Sequence, residues 1–268
     1  MSQGKQQTNY LMESMEQKNF SELGEKERES YNQGLERKGY DGFFSHCKVF
    51  YAQRRARLVK EYMQFAEGKK VLEIGSSTWW GWLENNSIRP SSLTCINVSE
   101  VELQVGIGFA VDKITKPQFV LMDAHDLQFE DETFDLIYGS GILHHLNLAQ
   151  ALDEIYRVLK PNGKILFVEP LDMNPVGKLV RYFTEKARTA DEQPLRVCDI
   201  VEIEKRFETQ FFYEEFFSVP FGVISRLFFK DKSNGLMRFA FKLDQFLDRN
   251  FEWLRNLFRH VLISGTRR

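Results

Sequence analysis

The sequence predicts an α/β fold, with helices layered on both faces of a mostly parallel sheet. Strand-type and helix-type apolar patterns alternate from about residue 70 to residue 170. A glycine turn follows the first strand-type run and opens into a helix. After Pro170 the alternation stops, and aromatic residues dominate until a last short strand.

In chain order, residues 1–46 are rich in Gln, Glu, Lys, Ser and Asn, with apolar spots at Tyr10, Leu11, Phe20 and Leu23. They read equally as a mobile tail or as loose helices that dock, a flexible or helical lid segment. Tyr51, Leu58, Val59, Tyr62, Met63 and Ala66 recur at helical steps and predict an amphipathic helix ending at Gly68. Strands are expected at Lys70–Ile74, Leu93–Val98, Gln118–Met122, Phe134–Tyr138 and Lys164–Glu169. Helices are expected after the Gly75 loop, at Val101–Ala110 and at Leu148–Leu159, the last stopped by Lys160-Pro161-Asn162-Gly163. Beyond Pro170 the expectation is helices at Asn174–Lys186 and Val197–Phe207, then an aromatic strand at Thr209–Val219. One helical stripe from Leu236 to Phe258 follows, then a final strand at His260–Thr266. The domain reading is a core over 47–170, a late strand with a helical, aromatic cap over 171–259, and a last core strand over 260–268.

Composition narrows the function classes. The 268 residues, 43% of them hydrophobic, suffice for one sizeable core. Basic and acidic side chains number 36 and 38, so no positive excess points to nucleic acid. Cys47, Cys95 and Cys198 are scattered, which fits a reducing cytoplasm and no disulfide framework. The polar start does not read as a signal peptide, and no apolar run is long enough to span a bilayer.

Five segments carry chemistry. Val71-Leu72-Glu73-Ile74-Gly75-Ser76-Ser77-Thr78 delivers an acid and a glycine from a strand into a tight turn. Backbone N–H groups there can meet a carboxylate or phosphate. Asn97 and Val98 stand at the tip of the second strand, where such folds hold a ribose. Asp123 and Ala124 end the third. Gly139-Ser140-Gly141-Ile142-Leu143-His144-His145 ends the fourth. Glu169 ends the fifth. The glycine turn by itself would serve a nicotinamide cofactor equally well.

Taken in this order, the five segments resemble the class I S-adenosylmethionine-dependent methyltransferases, in the branch of ubiquinone-type and small-molecule enzymes. The resemblance covers roughly Val71 to Pro170 and includes the last strand. It implies a Rossmann-like three-layer sandwich on a mostly parallel, seven-stranded sheet with an antiparallel last strand. It also implies S-adenosyl-L-methionine as cofactor and S-adenosyl-L-homocysteine as product. By resemblance, Glu73, Gly75, Ser76 and Ser77 hold the methionine end of the cofactor. Asn97 and Val98 meet the ribose, Asp123 and Ala124 the adenine, and Gly139 and Ser140 the methionine wall. Ser77 and Trp79 replace two glycines of the usual pattern, and Asn97 replaces the usual acid. Trp79, Trp80 and Trp82 are expected to form a bulky mouth to the loop.

The acceptor side reads less directly. His145, and next His144, are the base candidates, because histidine titrates near neutrality. Glu169 resembles an acid that lines the acceptor pocket. No catalytic metal is expected, since the His and acid spacing is irregular. Arg188, in Arg188-Thr189-Ala190-Asp191-Glu192, is a candidate partner for an acidic acceptor. The 236–258 stripe, flanked by Arg and Lys, is either packing or a membrane-surface or lid helix. The expected acceptor is a small or medium-sized molecule methylated on O or N. The alternatives are C-methylation of an apolar or isoprenoid acceptor and a non-catalytic relative that keeps the fold.

Overall fold

The computed structural model describes residues 19–33, 45–172, 174, 175, 178, 179, 182 and 193–268. Its strands are β1 (Lys70–Ile74), β2 (Ser92–Asn97), β3 (Gln118–Leu121), β4 (Phe134–Ser140), β5 (Leu159–Pro170), β6 (Phe207–Glu214) and β7 (His260–Arg267). They form one seven-stranded sheet in the order β3-β2-β1-β4-β5-β7-β6. The pairs from β3 through to β5 are parallel. β7 inserts between β5 and β6 and runs antiparallel to both.

The described helices are α1 (Glu22–Gln33), α2 (Lys48–Met63), α3 (Gly81–Asn85), α4 (Glu100–Ala110), α5 (Leu148–Val158), α6 (Val197–Arg206), α7 (Ser218–Phe228) and α8 (Gly235–Asn250). Strand residues alternate between the two faces of the sheet, as a period of two requires. Leu72, Ile137, Ile165, Phe167 and Ile263 face one core with Leu152 and Ile155 of α5 and Ile203 of α6. Val71, Leu136, Tyr138, Leu166 and Leu262 face the other with Val59 of α2, Leu83 of α3 and Leu103 of α4. Helix, sheet and helix therefore make the three layers. Cys47, Val219, Met237 and Ala240 form a smaller cluster under α7 and α8.

The strands of the first half fall close to their expected bounds. The Lys160–Gly163 turn survives as a bulge inside β5, where the pairing jumps from Phe134↔Leu159 to Leu136↔Lys164. The second half requires corrections. The expected strand Thr209–Val219 ends at Glu214, because Glu215 takes a left-handed φ of 67° and Ser218 begins α7. The expected single stripe Leu236–Phe258 breaks at Phe251, whose φ and ψ of −137° and 80° separate α8 from a 3-10 turn over Glu252–Leu257. Asn174–Lys186 lies mostly outside the described residues.

Candidate active site

Sheet order reverses between β1 and β4, and a cleft opens there at the C-terminal ends of the parallel strands. This is where doubly wound sheets leave a crevice between diverging connections. Ile74 and Gly75 line it from β1, Asn97 and Val98 from β2, Asp123 and Ala124 after β3, and Ser140 from β4.

Glu73 forms part of the cleft wall and is only 1% exposed. β1–β4 register sets it beside Tyr138, whose hydroxyl donates to its Oε2. Its other oxygen, Oε1, has no hydrogen-bond partner of good geometry among the described residues. Burial pushes its carboxyl from the ordinary 4.5 up to about 7, against the opposing hydrogen bond of Tyr138 and the lesser influence of the nearby Ser76 hydroxyl. A buried acceptor left open at a cleft is costly unless something completes it.

Gly75 then turns the chain with φ of 72°, and a Cβ there would lie 2.9 Å from the Ile142 side chain. Glycine alone meets both demands without strain. Space otherwise expected from further loop glycines is opened from outside the loop. Gly106 of α4 lies so close that a Cβ would come 2.4 Å from the Ser77 carbonyl, and Gly81 faces the Phe109 ring. Ser77 and Trp79 then remain free to line the cleft. The expected mouth of three tryptophans is corrected here. Trp80 is fully buried against Phe109 and Phe119, and Trp82 packs on the same core, so only Trp79 faces the cleft.

Asn97 lines the cleft, yet its side chain is committed to the backbone. Nδ2 donates to the Ser76 carbonyl at 2.8 Å, and Oδ1 accepts from Ser99 N at 2.9 Å. It ties the loop to β2. Glu102, in the first turn of α4, adds a carboxylate to the cleft lining. Ser76 is fully buried, and Gly139 is packed against Ile142 and the Ile74 carbonyl, so neither is on the cleft wall.

Asp123 is buried. Its Oδ1 accepts from His125 N at 3.0 Å and lies 2.6 Å from His125 Nδ1. Its Oδ2 accepts from Ser21 N at 2.9 Å and from Ser21 Oγ at 2.6 Å. Burial raises the Asp123 carboxyl, but the bonds from His125 and Ser21 outweigh it and hold it well below the usual range.

Helix α1 closes the cleft from above. Gly24, Glu27 and Tyr31 line it, and at Gly24 an added Cβ would sit 2.2 Å from Asp123 Oδ2. Arg28 pairs with Glu100 at the start of α4, and Asn32 bonds Glu100 and Ser99 at 2.8 and 2.7 Å. Glu27 Oε2 lies 3.1 Å from His145 Nδ1, while Tyr31 Oη lies 3.4 Å from His145 Nε2. Sequence reading assigned no role to these lid residues. Their available signal was the four-residue step from Glu27 to Tyr31, which places both on one helix face.

His145 lines the main cleft and His144 an adjoining cavity, with ring centroids 4.1 Å apart. Glu169 is fully buried beneath them. It accepts from Ile142 N and Leu143 N at 3.0 Å each and lies 2.8 Å from His144 Nδ1. It thus fixes the 142–144 turn from below and does not line either cavity. Arg188 lies outside the described residues.

Fold and cleft together define a Rossmann-like α/β domain with a ligand crevice at its switch point. Residues 72–167 match the family described as a methyltransferase domain. Over 158 residues it is 28% identical to the ubiquinone/menaquinone biosynthesis C-methyltransferase UbiE of Geobacter sulfurreducens, covering 56% of this chain and 60% of that one. The chain spans less than two thirds of the length of the curated relatives it matches. Among solved structures it is similar to geranyl diphosphate C-methyltransferase from Streptomyces coelicolor A3(2), with TM-score 0.56, 13% identity, and 81% and 77% of the two chains covered. It is also similar to the [4+2]-cyclase SpnF, with TM-score 0.54, 18% identity, and 81% and 80% covered. At these identities the structural likeness is one of fold.

Proposed function

We propose that this chain is an S-adenosyl-L-methionine-dependent methyltransferase acting on an O or N atom of a small or medium-sized acceptor, such as a natural product, glycan precursor or peptide. The observation that carries the reading is Glu73, a buried carboxylate with an open oxygen at the Gly75 turn, inside the family-matched segment. Bound there, the cofactor supplies an activated methyl group and leaves as S-adenosyl-L-homocysteine. Glu73 Oε1 accepts from the ammonium of the methionine end. Gly75 lets the backbone come close, and Ser77, Trp79 and Ser140 wall that end. Val98 and Glu102 face the ribose, with Asn97 bracing the loop behind them. Asp123 and the Ala124 N–H face the adenine edge.

His145 is the base. Glu27 stands at its Nδ1, so Nε2, beside the Tyr31 hydroxyl, is the nitrogen that takes a proton from the acceptor. His144, held by Glu169, orients the turn that carries His145. The α1 segment acts as a lid that excludes water while the methyl group moves. The free thiols fit a reducing, cytoplasmic setting.

Curated relatives include N-, O- and C-methyltransferases, and the fold also serves a protein described as a cyclase. C-methylation of an apolar acceptor is therefore the second reading, favoured by the aromatic cap. Calorimetric titration with S-adenosylhomocysteine, S-adenosylmethionine and NADH tests the cofactor assignment. Binding of the sulfur compounds at micromolar concentration is expected, and no heat with either at millimolar concentration overturns the proposal.

A further inference from the structure

From Ile224 onward, the exposed large apolar side chains among the described residues all lie on the α7–α8 hairpin and the turn after it. At the hairpin tip, Leu227 and Phe228 are 74% and 76% exposed. Along α8 the outward positions Phe239, Lys242, Phe246 and Arg249 follow one another at helical steps, and all are exposed. Trp253, just beyond, is 72% exposed. Aromatic and cationic residues therefore alternate along one stripe, instead of lying on opposite faces as in an ordinary surface helix.

The acids along α8 and the turn after it are largely engaged elsewhere, and Asp231 alone offsets charge at the tip. Asp244 is buried and caps α7. Asp248 lies between Arg54 at 3.9 Å and Arg255 at 3.4 Å. Asp231 accepts from Ser233 N and Oγ at 2.9 Å, and Glu252 pairs with Arg255 at 2.9 Å. Lys230 and Lys232 add exposed positive charge at the tip.

We infer that this hairpin docks on an anionic lipid surface, with Leu227, Phe228 and Trp253 entering the headgroup region and the Lys and Arg residues meeting lipid phosphates. Cations set between the aromatic side chains complement a surface that offers both an apolar interior and phosphate groups. No described helix is long and apolar enough to cross a membrane, so the contact is interfacial. The hairpin also holds the residues just before α2. His46 Nδ1 lies 2.9 Å from Ser225 Oγ, and a Cβ at Gly222 would lie 2.8 Å from Cys47 Sγ. The docking surface stands apart from methyl transfer.

The test is co-sedimentation of the full chain with vesicles of phosphatidylcholine, with and without phosphatidylglycerol. Wild-type protein should pellet with the anionic vesicles, and less so as salt rises. The pair Leu227→Ser with Phe228→Ser, and separately Lys242→Glu with Arg249→Glu, should each weaken that binding roughly tenfold. All of these positions are exposed, and S-adenosylhomocysteine titration of each variant reports its integrity. Absence of wild-type pelleting at low salt overturns the inference. So does a wild-type dimer in light scattering that the Leu227/Phe228 variant abolishes without any vesicle binding. Failure of wild-type S-adenosylhomocysteine binding would strike the methyl-transfer reading and leave the vesicle result standing.

Discussion

Two buried carboxylates, one in the cleft and one in the C-terminal cap, are equally hidden and differently kept. Asp244 of the cap accepts from Tyr51 Oη at 2.8 Å, Ser218 Oγ at 2.6 Å, and the backbone amides of Phe216, Phe217 and Ser218 at 3.1, 2.6 and 3.1 Å. Glu73 of the cleft has Tyr138 on one oxygen and an open second oxygen. Asp244 is completed by the fold itself, whereas Glu73 keeps an acceptor within reach of a cleft ligand. The contrast also separates this pair from Asp123, a cleft acid satisfied partly by Ser21 of the lid segment.

The largest expected effect follows from the completed acid. Asp244→Ala would orphan the amides that start α7 and the Tyr51 hydroxyl together. Urea unfolding should show a loss of about 3–5 kcal/mol. S-adenosylhomocysteine affinity of the remaining folded protein should be unchanged. A loss below about 1 kcal/mol would mean that water replaces those bonds and that the cap is not built on Asp244.

Glu73→Gln should do the reverse. It keeps the size of the side chain but removes the charge that meets an ammonium, so S-adenosylhomocysteine affinity should fall roughly 10–100-fold. Stability should be equal or higher, and the sign follows from the raised carboxyl. The folded state holds the Glu73 proton more tightly than the unfolded chain. The stabilising contribution of that proton is complete below pH 4.5 and is lost as pH rises through about 7. The stability advantage of Glu73→Gln over wild type should therefore grow across that window, to about 3 kcal/mol at most. A flat difference between pH 5 and 8 would show that Glu73 is not held protonated by burial. Across the same window, wild-type affinity should rise with pH as the carboxylate ionises.

Much of the first half was legible because its strands are short, apolar and buried on both faces, so each stands out between turn residues. The cap was not, for a reason visible in Asp244. What starts α7 at Ser218 is a carboxylate 26 positions further along the chain. No local pattern around Phe216-Phe217-Ser218-Val219 announces that contact, and the aromatic run imitates a strand. The lid segment was expected, but the residues through which it docks were not legible, for the opposite reason. Glu22-Leu23-Gly24-Glu25-Lys26-Glu27 has almost no apolar face, because α1 docks through Ser21, Arg28 and Asn32. Motif position put Glu73, Gly75 and Asp123 at strand ends, and all three line the cleft. It did not show that Asn97 turns inward to Ser76, since an amide and an acid look alike at a strand tip until their partners are seen.

Asn97 gives the next test in order of size. If the site wanted the usual acid at that position, Asn97→Asp should tighten cofactor binding. The structure predicts otherwise. Nδ2 is a donor to the Ser76 carbonyl, and an ionised oxygen in its place would face another acceptor. Asn97→Asp should cost about 1–2 kcal/mol in denaturant unfolding and should not improve S-adenosylhomocysteine affinity. Tighter binding by the variant would move the ribose contact back to this position.

The smallest effect bears on the third acid. Asp123 Oδ2 is occupied by both the amide and the hydroxyl of Ser21, on the face where the proposed adenine amino group would donate. Nucleotide and lid then compete for one oxygen, and part of the binding energy goes into moving Ser21 aside. Ser21→Ala removes the shorter of the two bonds and also the cap by which Ser21 Oγ accepts from Gly24 N at 2.9 Å, so it loosens the start of α1 as well. Its expected outcome is S-adenosylhomocysteine binding tighter by roughly two- to fivefold, in keeping with one hydrogen bond of modest net worth. Calorimetry on the two proteins reads it directly. Weaker binding would mean that Ser21 and the nucleotide share Asp123. The lid helix would then be part of the completed site, and Asp123 would belong with Asp244 among the acids the fold satisfies for itself.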